Sequence, residues 1–434
     1  MLWRGFGMSP RLGALLLAAL LAFLVSAFTP LPQAPAVVLI WVAGVLGFAE
    51  VDAPTRRLAL ILTAAGVTAT VWALFLGAGF DPVAMGGINL PIIALFLGVA
   101  FLSLVGSSVA AAPATGSRGR GRLWRSMLSI HLIGAVINMS MVAIAGDRMA
   151  RDGTLGRREA VLLARVYCAA AFWSPFFVAA AVAHTYAPEA RASLFIPLGV
   201  LGALCAFLLT AREVIRLDPE APLPDFTPDR GALKLTGALL GAALLLKAML
   251  ADMPMVVIVA AVTPPLALLL MPRMEPRVLL QQLLTRTLPA TSSQVVLFLA
   301  AGVFAYGISQ WLPLQLEAVG LLPASVPLMV YPLATGLIIL AAYAGMHPLI
   351  SIAALSSALL PAGAEHSLLA FSFLAGWAVG TAVAPLSGMN LFLIGRYRLR
   401  AREIARWGPG YALAMLGVVT CLSIAGHLLL AAGV

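Results

Sequence analysis

Four short polar positions interrupt otherwise apolar runs, and their residue types could do chemistry: Asn138 with Ser140, Ser174 with Pro175, His347 with Ser351, and Ser387 with Asn390. None is a nucleophile beside a base; the chemistry they offer is ion binding. A proline removes a backbone donor and breaks a helix. The half-helix that starts after a break presents free N–H groups and the positive end of its dipole, which hold an anion without a lysine or arginine. The half-helix that ends there leaves carbonyl oxygens that can hold a cation. His347 adds a side chain that titrates near neutrality and can carry a proton or donate to a ligand. The plainer role for Asn138 and Asn390 is a helix–helix hydrogen bond in lipid, and for His347 a turn residue bonded to backbone.

Such breaks must be held by helices that stop inside an apolar medium. Of the 434 residues 62% are hydrophobic and 10% charged, and the mean hydropathy is +1.02, where soluble domains carry about a quarter charged residues. A span needs about 20 apolar residues, and eleven are predicted at 12–29, 36–50, 57–79, 90–112, 159–185, 193–211, 233–250, 254–271, 290–310, 366–395 and 408–432. The fold class expected is an all-α polytopic membrane protein in a lipid bilayer. The net charge of +10 does not point to nucleic acid, because the basic residues fall in short clusters between apolar runs. With the N-terminus cytoplasmic, only Arg191 and Lys247 of the 27 basic residues fall outside, a strong positive-inside pattern. It predicts a C-terminus that is periplasmic or extracellular, and the high arginine, alanine and glycine usage is compatible with a bacterial cell inner membrane. The first apolar run reads as a span rather than a signal peptide, since no small-residue cleavage site follows it.

Two apolar stretches do not fit as spans. Residues 124–147 have arginines on both sides (Arg118, Arg120, Arg122 and Arg125; Arg148, Arg151, Arg157 and Arg158), so both ends belong on one face. They predict a re-entrant hairpin with its tip near Asn138. Residues 326–362 are too long for one crossing and carry Gly345-Met346-His347-Pro348 in the middle; a second hairpin there keeps the arginines at 396–406 inside. Backbone that turns at membrane depth is tolerated only when buried in protein or lining a cavity.

The halves mirror each other. The Asn138 tip precedes Pro175 by 37 residues, and Pro348 precedes Pro385 by 37. This predicts an inverted repeat with broken helices: an extra span at 1–35, a first repeat at 36–212, a proline-rich cytoplasmic linker at 213–232 and a second repeat at 233–434. Other residues have plainer readings. His131 reads as a buried packing histidine, Asp147 as a surface ion-pair residue at the hairpin base, Trp173, Tyr343 and Trp377 as packing aromatics, and Cys168, Cys205 and Cys421 as small core residues. All 17 acidic residues lie in loops or at span ends, which disfavours a carboxylate proton relay. No Walker A motif is present, and no acidic pair or HExxH cluster supports the competing class of membrane-embedded transferase.

Gly345-Met346-His347-Pro348-Leu349-Ile350-Ser351, then Ala384-Pro385-Leu386-Ser387-Gly388-Met389-Asn390-Leu391-Phe392 and Arg402-Glu403-Ile404, resemble the C-terminal half of the ion transporter superfamily. That group includes divalent anion/sodium symporters, arsenite permeases and the large subunits of tripartite periplasmic transporters. The resemblance covers nearly the whole chain. It implies an ion-coupled secondary transporter of a small anion, an organic carboxylate, or a membrane subunit that works with partners. It also implies an elevator-like mechanism, a homodimer, and sodium or a proton as coupling ion with no other cofactor. The Ser-Asn-Thr tips of those symporters are matched here only by Asn138-Met139-Ser140, and their doubled proline by the single Pro175 and Pro385.

Overall fold

The computed structural model describes residues 10–105, 120–217, 226, 230–271, 274–320 and 326–433. In chain order the helices are α1 (Pro10–Phe28), α2 (Ala34–Phe48), α3 (Ala53–Phe75), α4 (Pro82–Gly87), α5 (Leu90–Ala100), α6 (Arg120–Ile137), α7 (Met139–Met149), α8 (Arg157–Cys168), α9 (Val178–Tyr186) and α10 (Ala192–Leu217). They continue as α11 (Arg230–Met249), α12 (Met255–Leu270), α13 (Pro276–Gln282), α14 (Ser292–Ala318), α15 (Val330–Tyr343), α16 (Pro348–Leu359), α17 (His366–Val383), α18 (Gly388–Tyr397), α19 (Ala401–Trp407) and α20 (Pro409–Ala431). Among the described residues, seven helical stretches are long and apolar enough to cross a membrane, and extended pairing is limited to one bridge between Arg151 and Thr154. Large apolar side chains point outward along these and the shorter apolar helices, Phe75 of α3 at 85% exposure and Leu269 of α12 at 76%, as lipid rather than water requires. The protein is an all-α polytopic membrane protein.

Two compact units form, and neither coincides with a half of the sequence. One takes residues 1–108 and 238–322, the other 109–237 and 323–434. Each half of the sequence therefore contributes to both. In the first unit α3 crosses α14 and α5 crosses α12, the same pairing with the halves exchanged. Small residues allow these crossings, since little hydrophobic force drives helices together in lipid and close backbone approach must replace it. A Cβ on Gly307 would lie 2.1 Å from the Gly66 carbonyl oxygen, and one on Gly98 would lie 2.8 Å from that of Ala260. The buried Asn89 amide donates to the Phe298 carbonyl at 2.9 Å and ties the start of α5 to α14.

The second unit contains both hairpins and both broken helices. α6 and α7 are joined by a turn at Asn138, α15 and α16 by residues 344–347. α8 continues as a 3-10 turn, Ala169–Phe172, before the chain breaks and restarts as α9; α17 breaks at 384–387 and restarts as α18. α17 is almost wholly buried and packs against α8, α9, α15 and α20. Some expected boundaries shift. α10 runs to Leu217, so residues 213–217 of the expected linker are helical; most of 218–229 lies outside the described residues, as does the end of the 90–112 span beyond Val105. The helix expected at 290–310 extends from Pro276 to Ala318 through a π-helical turn at Leu283–Thr287.

Candidate functional site

All eight residues singled out from the sequence fall in the second unit. Within it, each hairpin tip sits on the break of its own half. The first tip places Asn138 at φ 61° and ψ −143°, a region nearly reserved for glycine that costs about 1–3 kcal/mol. What holds it is the Tyr167 hydroxyl of α8, which donates to Asn138 Oδ1 at 2.8 Å. Ser140 lies half-buried in the first turn of α7. Ser174 is buried and donates to the Ala135 carbonyl of α6 at 2.6 Å, and its Oγ accepts the Phe176 N–H at 3.3 Å. Pro175 follows in the break, half-buried.

His131 does more than pack. Its Nδ1 lies 3.0 Å from the Val166 carbonyl, and its Nε2 accepts the Trp173 indole N–H at 2.9 Å. A carbonyl can only accept, so Nδ1 carries the proton and the ring is the neutral Nδ1–H tautomer. This one imidazole joins hairpin, α8 and break, and it commits Trp173 to structure.

The second tip turns through Gly345, whose φ of 95° requires glycine. His347 caps α16: its Nδ1 accepts the Leu349 N–H at 3.3 Å, and its ring meets Trp377 edge-on at 5.2 Å between centroids. Ser351 donates to the Met346 sulfur at 3.6 Å. At the break, Ser387 caps α18 by accepting the Asn390 N–H at 3.2 Å and donates to the Thr381 carbonyl at 2.7 Å. Asn390 is buried, and its Nδ2 faces three carbonyl oxygens, of Thr381 at 3.3 Å, Ala382 at 3.1 Å and Ala384 at 2.9 Å.

The two breaks share one backbone pattern, 210 residues apart. The Ser174 N–H bonds the Ala170 carbonyl at 2.8 Å as that of Ala384 bonds Gly380 at 2.9 Å; the Phe177 N–H bonds Ser174 as that of Ser387 bonds Ala384, both at 3.1 Å. The helix starts differ, however. α7 and α9 begin at Asn138 and Phe177 with no side-chain cap, whereas α16 and α18 are capped by His347 and Ser387. Of these four helix starts, only the two of the second half are capped by their N-cap side chains.

Sequence reasoning missed one charged cluster and the partners of Asp147 in a second. Arg165, 3% exposed within α8, donates to Glu213 of α10 at 2.5 Å and to the Trp407 carbonyl at 2.9 Å, and stacks over the Tyr411 ring at 4.2 Å. An arginine inside the apolar run 159–185 was the available signal; its partner Glu213 was assigned to the linker. Beside it a cavity of about 20 Å³, room for about one water, is lined by Arg165, Ala382, Asn390, Trp407 and Gly408 among others. The second cluster joins Asp147 to Arg396 and Tyr397. Among the described residues no group of three or more His, Cys, Asp or Glu could hold a metal ion.

No protein-family model matches the chain, and no curated protein sequence matches it. Among solved structures, the crystal structure of the YdaH transporter of Alcanivorax borkumensis, described as having an unusual topology, is similar in fold. The TM-score is 0.54 at 15% identity, covering 85% of this chain and 97% of that one. The likeness is one of fold.

Proposed function

We propose that this chain is an ion-coupled secondary transporter of a small anion, an organic carboxylate, related to the ion transporter superfamily. The observation that carries the reading is the repeated break: two helices interrupted with the same backbone bonds, each under its own hairpin tip, all in one unit. Such breaks in an apolar protein cost hydrogen bonds and persist where they serve ion or substrate binding. The starts of α7 and α9, which carry no side-chain cap, are assigned the substrate carboxylate, with Asn138, Ser140, Ser174 and Pro175 shaping that end, and the second tip and break, with His347, Ser351, Ser387 and Asn390, the opposite end. The halves are inverted repeats, and the unit carrying the breaks moves in an elevator-like cycle powered by sodium or protons. The membrane is the inner membrane, with the N-terminus cytoplasmic.

The test is uptake of radiolabelled mono-, di- and tricarboxylates into proteoliposomes under imposed sodium or proton gradients. Gradient-dependent accumulation of one class is expected, reduced at least tenfold by Asn138→Ala. Equal, gradient-independent signals across the panel would remove the reading.

A further inference from the structure

We infer that the amide of Asn390 occupies the seat a coupling cation would take at the second break, so that any sodium the protein binds is held elsewhere. The inference deepens the ion-coupled reading above. Pro385 has no N–H to return to the Thr381 carbonyl, and the unwound backbone that follows exposes further carbonyls at the negative end of α17. A cluster of this kind attracts a cation. Here it surrounds Asn390 Nδ2, with the oxygens of Thr381, Ala382 and Ala384 at 3.3, 3.1 and 2.9 Å, and the Ser387 hydroxyl adds a second donor to Thr381.

The amide orientation follows from its surroundings: a flipped side chain would aim Oδ1 at three carbonyl oxygens with no donor between them. Asn390 is 1% exposed, and its amide is bonded by the protein's own carbonyls. The position 210 residues earlier, equivalent by the shared backbone bonds, is Ala180, whose methyl group can donate nothing. The breaks are thus alike in backbone and unlike in this one side chain. Asn390 sets ion selectivity by exclusion, without touching the ion.

The test compares sodium with choline chloride at equal ionic strength on the purified full chain, following thermal unfolding by tryptophan fluorescence. Asn390→Asp puts a carboxylate oxygen where the donor was, and Asn390→Ser leaves the seat open. Each is expected to gain at least 3 °C of sodium-dependent stabilisation beyond wild type, while Asn390→Leu loses stability equally in both salts. A sodium response in the Asp and Ser variants no larger than that of wild type would overturn the inference. Equilibrium binding of ²²Na⁺ to the wild-type protein needs no variant: at most one sodium per chain is expected, and two or more would overturn it. Neither readout involves carboxylate flux, so failure of the uptake assay and failure here are separable.

Discussion

Asp147, at the base of the first hairpin, is held by Arg396 at the end of α18 through both nitrogens of a guanidinium fork, Nε at 2.8 Å and Nη2 at 2.6 Å. The Tyr397 hydroxyl lies 2.9 Å from the same carboxylate, and Gly146 leaves room for its ring, since a Cβ there would come within 2.3 Å of the phenol oxygen. A residue of the first half and a residue of the second are so fastened together. The hydrogen bonds from Arg396, opposed by partial burial, hold the Asp147 carboxyl below its ordinary range. Its contribution is therefore complete above the unfolded carboxylate pKa and is lost as pH falls through the lower folded value. Both side chains are about half exposed, so the pair is worth on the order of 0.5–1 kcal/mol and weakens with salt. The melting temperatures of wild type and Asp147→Asn should differ by a constant amount from pH 7 to 5 and converge below about pH 4. A gap that widened with acid would contradict the assignment.

Strain at Asn138 makes a second prediction. Tyr167→Phe removes the donor that anchors Oδ1 and should cost about 1–2 kcal/mol. Asn138→Ala, which keeps a Cβ at positive φ without the anchor, should destabilise more than Asn138→Gly, which relieves the backbone. Chemical denaturation of the three variants gives the order; Gly worse than Ala would show that the turn is not strained.

Removing the buried Arg165 side chain should be costly. Arg165→Met leaves Glu213 with Arg157 alone and strips the Trp407 carbonyl of its donor; breaking such a pair from one side costs about 3–5 kcal/mol. Arg165→Lys should recover only part, because an ammonium lacks the planar face over Tyr411. The double change Arg165→Met with Glu213→Gln should be less harmful than Arg165→Met alone, as thermal unfolding would show.

His131 and Trp173 make the fourth. Trp173→Phe leaves the buried Nε2 of His131 without a donor, a loss of about 1–3 kcal/mol. Adding His131→Phe, which discards both ring nitrogens, should recover some of that stability; a strictly additive second loss would deny the coupling.

The breaks and tips were legible because their causes are local. A proline cannot return a hydrogen bond, Gly345 and Asn138 sit where helices must turn, and arginines on both sides of 124–147 mark its ends. What was not legible depends on packing between distant segments. Nothing near Asn138 in sequence names Tyr167 as its partner, and Glu213, beside a proline-rich stretch, reads as linker until α10 is seen to run on to Leu217. Asn390 is legible as a polar residue at a break, yet which end of its amide matters is set by three carbonyls whose direction no spacing rule reveals. Nor could the halves of the sequence disclose the two units, since each unit is assembled from both.

Single cysteines on either side of each hairpin, introduced into a chain with Cys168, Cys205 and Cys421 replaced, test the central claim most directly. The pairs are Arg125→Cys with Arg148→Cys, and Met329→Cys with Gly363→Cys. With a membrane-impermeant maleimide, both members of a pair should react from the same side of the bilayer, and the two pairs from opposite sides. Members of one pair that react from different sides would make that hairpin an ordinary crossing and end the repeated-break account of transport.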